Sequence, residues 1–252
     1  MNKFVFVCPM HNASETLPRL LHSIHGQSNK NWRLILIDDV SKNGERRECQ
    51  EILNSFQNFS GGNHRTSVIW NIEKKWEVAN VLKGISMCDD EDIVCRIDAD
   101  DALCDLDALA LLDVVYSQTN CEAAWSAHRW GLSDKNISAA MPEGADPYKT
   151  PWVSSHLKTF RKRLINGIPY ENFTNMNGEL VRRAGDQAIY LPVLHNTNKR
   201  LFVQRALYSY TIDEQGGAVY QTADAKFQKD EADFVRARGY VSSGKPWETV
   251  VK

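Results

Sequence analysis

No apolar run in this chain approaches the roughly 20 residues that a membrane-spanning helix needs, and no two cysteines stand as C-x-x-C. The first absence argues against a membrane span. The opening Phe4-Val5-Phe6-Val7 is too short for a signal-peptide core and leads straight into Cys8-Pro9, so it reads as a first buried strand. The second absence removes zinc-site spacing. All six cysteines fall in the first half, several inside apolar patterns, which predicts reduced, buried thiols in a cytoplasmic protein. There is no G-x-G-x-x-G after the first strand and no G-x-x-x-x-G-K-[ST], so dinucleotide and P-loop fingerprints are missing. Internal repeats and low-complexity tails are missing too.

What remains is an ordinary globular composition, 42% hydrophobic and 25% charged over 252 residues, enough for one large α/β core. The formal net charge is only −2, but it is unevenly spread. Residues 1–148 carry 14 Lys and Arg against 22 Asp and Glu, whereas residues 149–205 carry 10 against 3. A basic segment beside an acidic half either marks where a polyanion docks or balances the acidic half.

Over the first 125 residues, strand and helix patterns alternate. Lys3–Cys8, Trp32–Ile37, Ser67–Trp70 and Asp92–Ile97 are short runs rich in Val, Ile, Leu and aromatics. Leu17, Leu20, Leu21 and Ile24 repeat at helical spacing, as do Val78, Val81, Leu82 and Ile85, and another helix is predicted from about Asp105 to Ser117. Thr16 is a plausible N-cap, with Pro18 tolerated in the opening turn. The alternation implies βαβ units and a mainly parallel sheet. Residues 131–155 form a long, Pro- and Gly-containing loop. Short signals return at His156–Ile165, Asp186–Leu194 and Leu201–Ile212, and a last helix covers about Asp224–Arg238, with Phe227 and Phe234 a heptad apart.

Two predicted strands end in acids: Leu34-Ile35-Leu36-Ile37 runs into Asp38-Asp39, and Ile93–Ile97 into Asp98-Ala99-Asp100-Asp101. Packed carboxylates repel and raise one another's pKa, which a hard divalent cation relieves. A solvated, helix-capping turn explains one such cluster equally well. Two of them are harder to treat as caps, because ligands of open α/β sheets bind at the carboxyl ends of strands. The Asp98 run is no EF-hand loop, since Leu103 stands where a Gly is required.

These residues resemble the motifs of family 2 glycosyltransferases of the GT-A fold. Phe4–Asn12 is similar to that family's strand ending in P-x-[YH]-N, and Leu17–Ser28 to its first helix ending in Q-[TS]. Trp32–Ser41 is similar to its E-[LI]-I-[IV]-V-D-D-x-S, and Asp98–Asp101 to its D-x-D-D metal motif. Trp152–Arg161 resembles an acceptor-side strand. Gly185-Asp186 sits where the family's E-D motif carries the catalytic base, with the first acid missing here. The R-R-x-R and Q-x-x-R-W motifs of processive members are absent.

The resemblance implies an α/β, mainly parallel Rossmann-like sheet flanked by helices. Residues 1–125 would form the nucleotide-sugar half and 126–252 an acceptor-side extension of the same domain. It implies metal-dependent, inverting transfer from a nucleoside-diphosphate sugar, most often UDP-linked. Pro9, His11, Asp39, Asn80, Asp98 and Asp100 would meet the donor, Asp101 and Asp100 would hold Mn2+ or Mg2+, and Asp186 would be the general base. The acceptor would be a glycan or a nucleic acid. The basic segment favours an anionic one, modified DNA or a phosphorylated glycan, contacted by His156, Lys158, Arg161, Arg182 and Arg183. His156 and His195 are further candidates for a metal ligand or plain loop residues. Trp125, Trp130, Trp152 and Tyr170 are candidates for sugar stacking or for the core. Two other readings are a catalytically inactive sugar-nucleotide or carbohydrate binding module and a GT-A nucleotidyltransferase. The second lacks its Gly-rich basic loop, since Ser14-Glu15-Thr16 stands there.

Overall fold

The structure is a computed structural model that describes residues 1–59, 65–131, 133, 135–211 and 223–251. In chain order its elements are β1 (Phe4–Met10), α1 (Leu17–His25), β2 (Trp32–Asp38), α2 (Asn43–Phe59), β3 (Thr66–Trp70), α3 (Trp76–Ile85), β4 (Ile93–Arg96) and β5 (Ala102–Leu103). There follow α4 (Ala108–Gln118), β6 (Ala123–Trp130), β7 (Lys158–Arg161), α5 (Gly185–His195), β8 (Arg200–Tyr210) and α6 (Ala223–Arg238), with short 3-10 turns between.

Because strand side chains alternate between faces, β1 feeds two apolar layers at once. Phe4, Phe6 and Cys8 pack with Leu17, Leu20, Leu21 and Ile24 of α1 and with α4, while Val5 and Val7 pack with Val78, Val81, Leu82 and Ile85 of α3 and with α5. Gly84 makes the second contact close. A Cβ there would lie 2.4 Å from Val7 Cγ1, so only glycine lets α3 settle onto β1. That contact fixes the N-terminal turn of α3 beside the carboxyl end of the sheet. Thr16 precedes α1 without a side-chain cap bond; its hydroxyl instead donates to the Ala99 carbonyl at 2.9 Å and ties α1 to the acidic turn.

The described strands form one sheet in the order β3-β2-β1-β4-β7-β6-β8-β5. It is mixed but mainly parallel as expected, with four parallel pairings and three antiparallel ones among the described strands. β3-β2-β1-β4 is parallel as the βαβ pattern requires, but β7 runs antiparallel to both β4 and β6, β5 is antiparallel to β8, and β6 pairs parallel with β8. No crossover helix lies among the described residues between β6 and β7, so the chain can return only in the opposite sense. The order reverses at β1, with β2 on one side and β4 on the other, and this opens the ligand crevice of α/β sheets.

Helix α4 starts three residues later than expected because the Asp105 carboxylate accepts the Asp107 N–H, forming a turn instead. Helix α2 escaped the periodicity reading: it is charge-rich and buries Cys49 and Leu53. In α6 the buried positions are Glu231 and Val235, and Phe227 is exposed. Ile212, the expected end of the last strand, lies outside the described residues. The six cysteines are unpaired, five of them buried. No described helix is long and apolar enough to cross a membrane.

Candidate active site

Both acidic strand ends reach the crevice, but each acid has its own task. Asp38 is fully buried and accepts from the Ser41 N–H at 3.2 Å and the Ser41 hydroxyl, and its carboxylate pairs with Arg46 at 3.0 Å. It holds the turn after β2. Asp39 accepts the backbone N–H groups of Lys75 at 2.7 Å and Trp76 at 3.0 Å. Burial raises the Asp39 pKa, but these bonds and the Asn80 and Asn71 amides outweigh it, so the carboxyl is held below its ordinary value and stays ionised. The same bonds hold Trp76 at φ +66°, and Val40 beside Asp39 stands at φ +61°, conformations that bulky side chains avoid. His11 Nδ1 lies 3.0 Å from the Asp39 carbonyl, and the Asn80 carbonyl accepts from Asn71 at 2.7 Å.

A cleft of about 510 Å³ opens over these groups, lined among others by Pro9, His11, Asp39, Asn80, Asp98 and Asp100. All six predicted donor residues therefore share one cavity. Arg182 and Arg183, expected on the acceptor side, line this cleft instead, each guanidinium lying over the Trp76 ring.

A second cleft, of about 480 Å³, adjoins the first, and Gln228 of α6 borders both. Asp186, His156, Trp130, Trp152 and Tyr210 line it. Asp186 is the second residue of α5 and makes no helix cap; Ala184 is the capping residue. Its carboxylate pairs with the buried Lys158 ammonium at 2.8 Å and lies 4.0 Å from His156 Nε2. Burial works to raise its pKa, but Lys158, His156 and Arg96 together hold it below the ordinary carboxylate range. Asp186 is thus an ionised group at a cleft wall. Lys158 is committed to it and to His156 Nδ1 at 3.2 Å.

Between the clefts, ligand-capable atoms of Asp98, Asp101 and His156 lie within 4.8 Å of one another, the group of this kind found among the described residues. Asp101 is buried and accepts from the Tyr208 hydroxyl and the Thr211 N–H, both at 2.7 Å. Burial first, then the charges of Asp98 and Asp100, push its pKa up to about 8. Burial and Lys158 push His156 down to about 3, so its imidazole is neutral. Two crowded carboxylates and a neutral imidazole suit Mn2+ or Mg2+. Asp100 is not in this group: it lines the larger cleft, and its carbonyl accepts from Arg19 and Thr211. The geometric group is Asp98, Asp101 and His156, where the expected metal pair was Asp101 and Asp100.

The basic segment does not converge. Arg161 pairs with Glu91, Lys162 with Asp90, and Arg163 with Glu91 and Glu122. Arg161 lies at the far end of β7 from Lys158, and its guanidinium sits over Tyr116 in the other apolar layer. His195 stacks on Tyr240 at 4.1 Å, and Trp125 is core, donating to the Ala139 carbonyl; neither reaches the clefts. Tyr170 packs half-buried against the core.

Three contributors gave no local signal in the sequence. Tyr208 links the Asp98 N–H to the Asp101 carboxylate and stacks on His156 at 4.7 Å. Glu77 bonds Arg96 at 2.8 Å. Glu231 of α6 is buried and accepts the backbone N–H groups of Arg182, Arg183 and Ala184, fixing the approach to α5. Replacing Glu231 by Ala leaves those donors unsatisfied, each at about 1–3 kcal/mol, so denaturant unfolding should show a loss of roughly 3 kcal/mol or more. A loss under about 1 kcal/mol, the net worth of one ordinary bond, would mean that water replaces this carboxylate freely.

A mixed sheet in this order, with acids from β2 and β4 facing two joined clefts at the reversal, defines the GT-A glycosyltransferase fold. Residues 5–122 match the family model "Glycosyl transferase family 2". No curated protein matches the sequence. Among solved structures, S. aureus TarS aligns over 92% of this chain and 43% of its own, with a TM-score of 0.64 and 15% identity. GalNAc-T7 with UDP, GalNAc and Mn2+ aligns over 86% and 45%, with a TM-score of 0.63 and 13% identity. The mannosyltransferase PcManGT from Pyrobaculum calidifontis, with GDP-Man and Mn2+, aligns over 85% and 58%, with a TM-score of 0.59 and 12% identity. The chain thus spans about half the length of these proteins, and at such identities the likeness concerns the fold.

Proposed function

We propose that the chain is a metal-dependent, inverting glycosyltransferase that moves a sugar from a nucleoside-diphosphate donor to a carbohydrate hydroxyl. The observation that carries this reading is the pair of joined clefts, with the donor residues in one and the ionised Asp186 in the other. In the first cleft Pro9, His11, Asp39 and Asn80 would receive the nucleobase and Asp98 and Asp100 the ribose and sugar. A UDP-linked donor is favoured, since TarS 1–349 is solved with UDP and with UDP-GlcNAc. Asp98, Asp101 and His156 would hold Mn2+ or Mg2+, which when bound neutralises the charge that gathers on a leaving diphosphate. Asp186 takes the proton of the acceptor hydroxyl as its oxygen attacks from the second cleft, opposite the leaving group, and the anomeric centre inverts. Residues 126–252 supply this acceptor side. Unpaired thiols fit a cytoplasmic setting.

The second cleft favours a neutral sugar over an anion. Trp130, Trp152 and Tyr210 are among its lining residues, aromatic side chains of the kind that meets a pyranose, and its Lys229 is paired with Asp233. Trp152→Ala should raise the acceptor KM about tenfold, the upper range of one aromatic contact, and leave donor hydrolysis intact. Transfer to a neutral glycoside should change little with added salt. A steep fall of acceptor binding with the logarithm of salt, the mark of phosphate contacts, would restore the anionic acceptor.

A further inference from the structure

Gly185 opens α5 immediately before Asp186, and its bare Cα is covered by a side chain from another element. A Cβ at 185 would lie 2.3 Å from Glu77 Cδ and 2.5–2.6 Å from both Glu77 carboxylate oxygens. Glu77 stands in the first turn of α3, so one carboxylate serves the positive N-terminal ends of two helices. It also fixes Arg96. The Arg96 Nη2 donates to Glu77 at 2.8 Å and to Asp98 at 2.7 Å, and Nη1 donates to the Ile97 carbonyl. Arg96 is buried and borders the donor cleft, and together with Lys158, Gly185 and Asp186 it lines a small cavity.

We propose that Glu77 is a positioning residue for the transfer: from α3 it fills the place of an acid at position 185 and holds Arg96 between the donor-side Asp98 and the base Asp186. This rests on the transfer reaction proposed above.

Helix packing alone does not call for a carboxylate here. The Glu77 side chain is only 25% exposed, and holding a charged carboxylate largely out of water costs free energy. An apolar side chain against an alanine would close the same gap without that cost. An unfavourable acid kept at the junction of two clefts is better explained by what it does to Arg96 and Asp186. Without it, Arg96 keeps only Asp98 and the Ile97 carbonyl and is free to turn toward Asp186 or the donor.

The test is a relocation of the acid. Glu77→Ala removes it, and Gly185→Asp puts a carboxyl carbon one bond beyond the Cβ position that Glu77 now covers. With UDP-sugar and Mn2+, and UDP release as the readout, Glu77→Ala should lower kcat on the order of 10–10²-fold, the scale of a small misplacement of reacting groups, with donor KM little changed. The double variant Glu77→Ala/Gly185→Asp should recover most of kcat, although Gly185→Asp alone crowds two carboxylates and should lose activity. Glu77→Gln keeps the shape without the charge and should show the same kcat loss if Glu77→Ala fails to fold. A double variant that folds, binds donor and is no faster than Glu77→Ala would overturn the proposal. So would a loss confined to KM, which would make Glu77 a donor contact. A wild type that turns over, with Glu77→Ala and Glu77→Gln at wild-type kcat, overturns this role alone. A wild type that binds donor and never releases sugar overturns the transfer reading and this role with it.

Discussion

Replacing Asp186 by Asn is expected to lower kcat by roughly 10²–10⁴-fold, the usual worth of a general base, while the affinity for the nucleotide sugar stays near wild type. The split follows from the placement of Asp186. Its carboxylate borders the second cleft, whereas Pro9, His11, Asp39 and Asn80 line the first. Asn is isosteric and can still accept from Lys158, so the fold is kept, but it cannot take a proton. Lys158, buried and deprived of a counter-charge, will lower the thermal stability of the variant, which separates this effect from the kinetic one. A collapse of donor affinity would instead assign Asp186 to the donor pocket or to the fold. The base would then have to be sought among Glu171, Glu179 and the acids of the 131–155 loop.

The second large effect belongs to Asp101. Asp101→Asn should bring transfer below detection and remove the dependence of donor binding on Mn2+. Wild type should gain thermal stability on adding Mn2+, and the variant should not. Asp101 is oriented by Tyr208 and Thr211, and burial first, then the charges of Asp98 and Asp100, push its pKa up to about 8. A divalent cation held by Asp101 with Asp98 and His156 would remove that repulsion, whereas an amide would supply neither the charge nor the attraction. Wild-type rates in this variant, or full activity of the native protein in EDTA, would show that the acids act without a metal.

The two acidic strand ends were legible in the sequence because a short apolar run followed abruptly by Asp residues can be read locally, and the parallel order of the first four sheet strands follows from alternating periods. That reading brought Pro9, His11, Asp39, Asn80, Asp98 and Asp100 to one cavity. It could not divide labour between neighbours. Asp38 and Asp39 differ in which loop each one accepts from, and Asp98, unlike Asp100, groups with Asp101 and His156. The basic segment is dispersed for a physical reason. Side chains along a strand alternate, so Lys158 and Arg161 on the same four-residue β7 face opposite layers, and the charges that looked pooled are met one by one by Asp90, Glu91 and Glu122. Glu77 and Glu231 act across helices distant in sequence, on backbone atoms and on Arg96, and no local pattern announces such partners.

The most direct test is to incubate the protein with UDP-linked sugars and Mn2+, with and without a neutral glycoside acceptor, and to follow UDP release together with the anomeric configuration of the product by proton NMR. Slow release of UDP without acceptor, faster release with it, and a glycosidic bond of configuration opposite to that of the donor are predicted. Tight donor binding with no UDP release would contradict the account and leave a binding module. Retained configuration would remove Asp186 from the role of base opposite the leaving group.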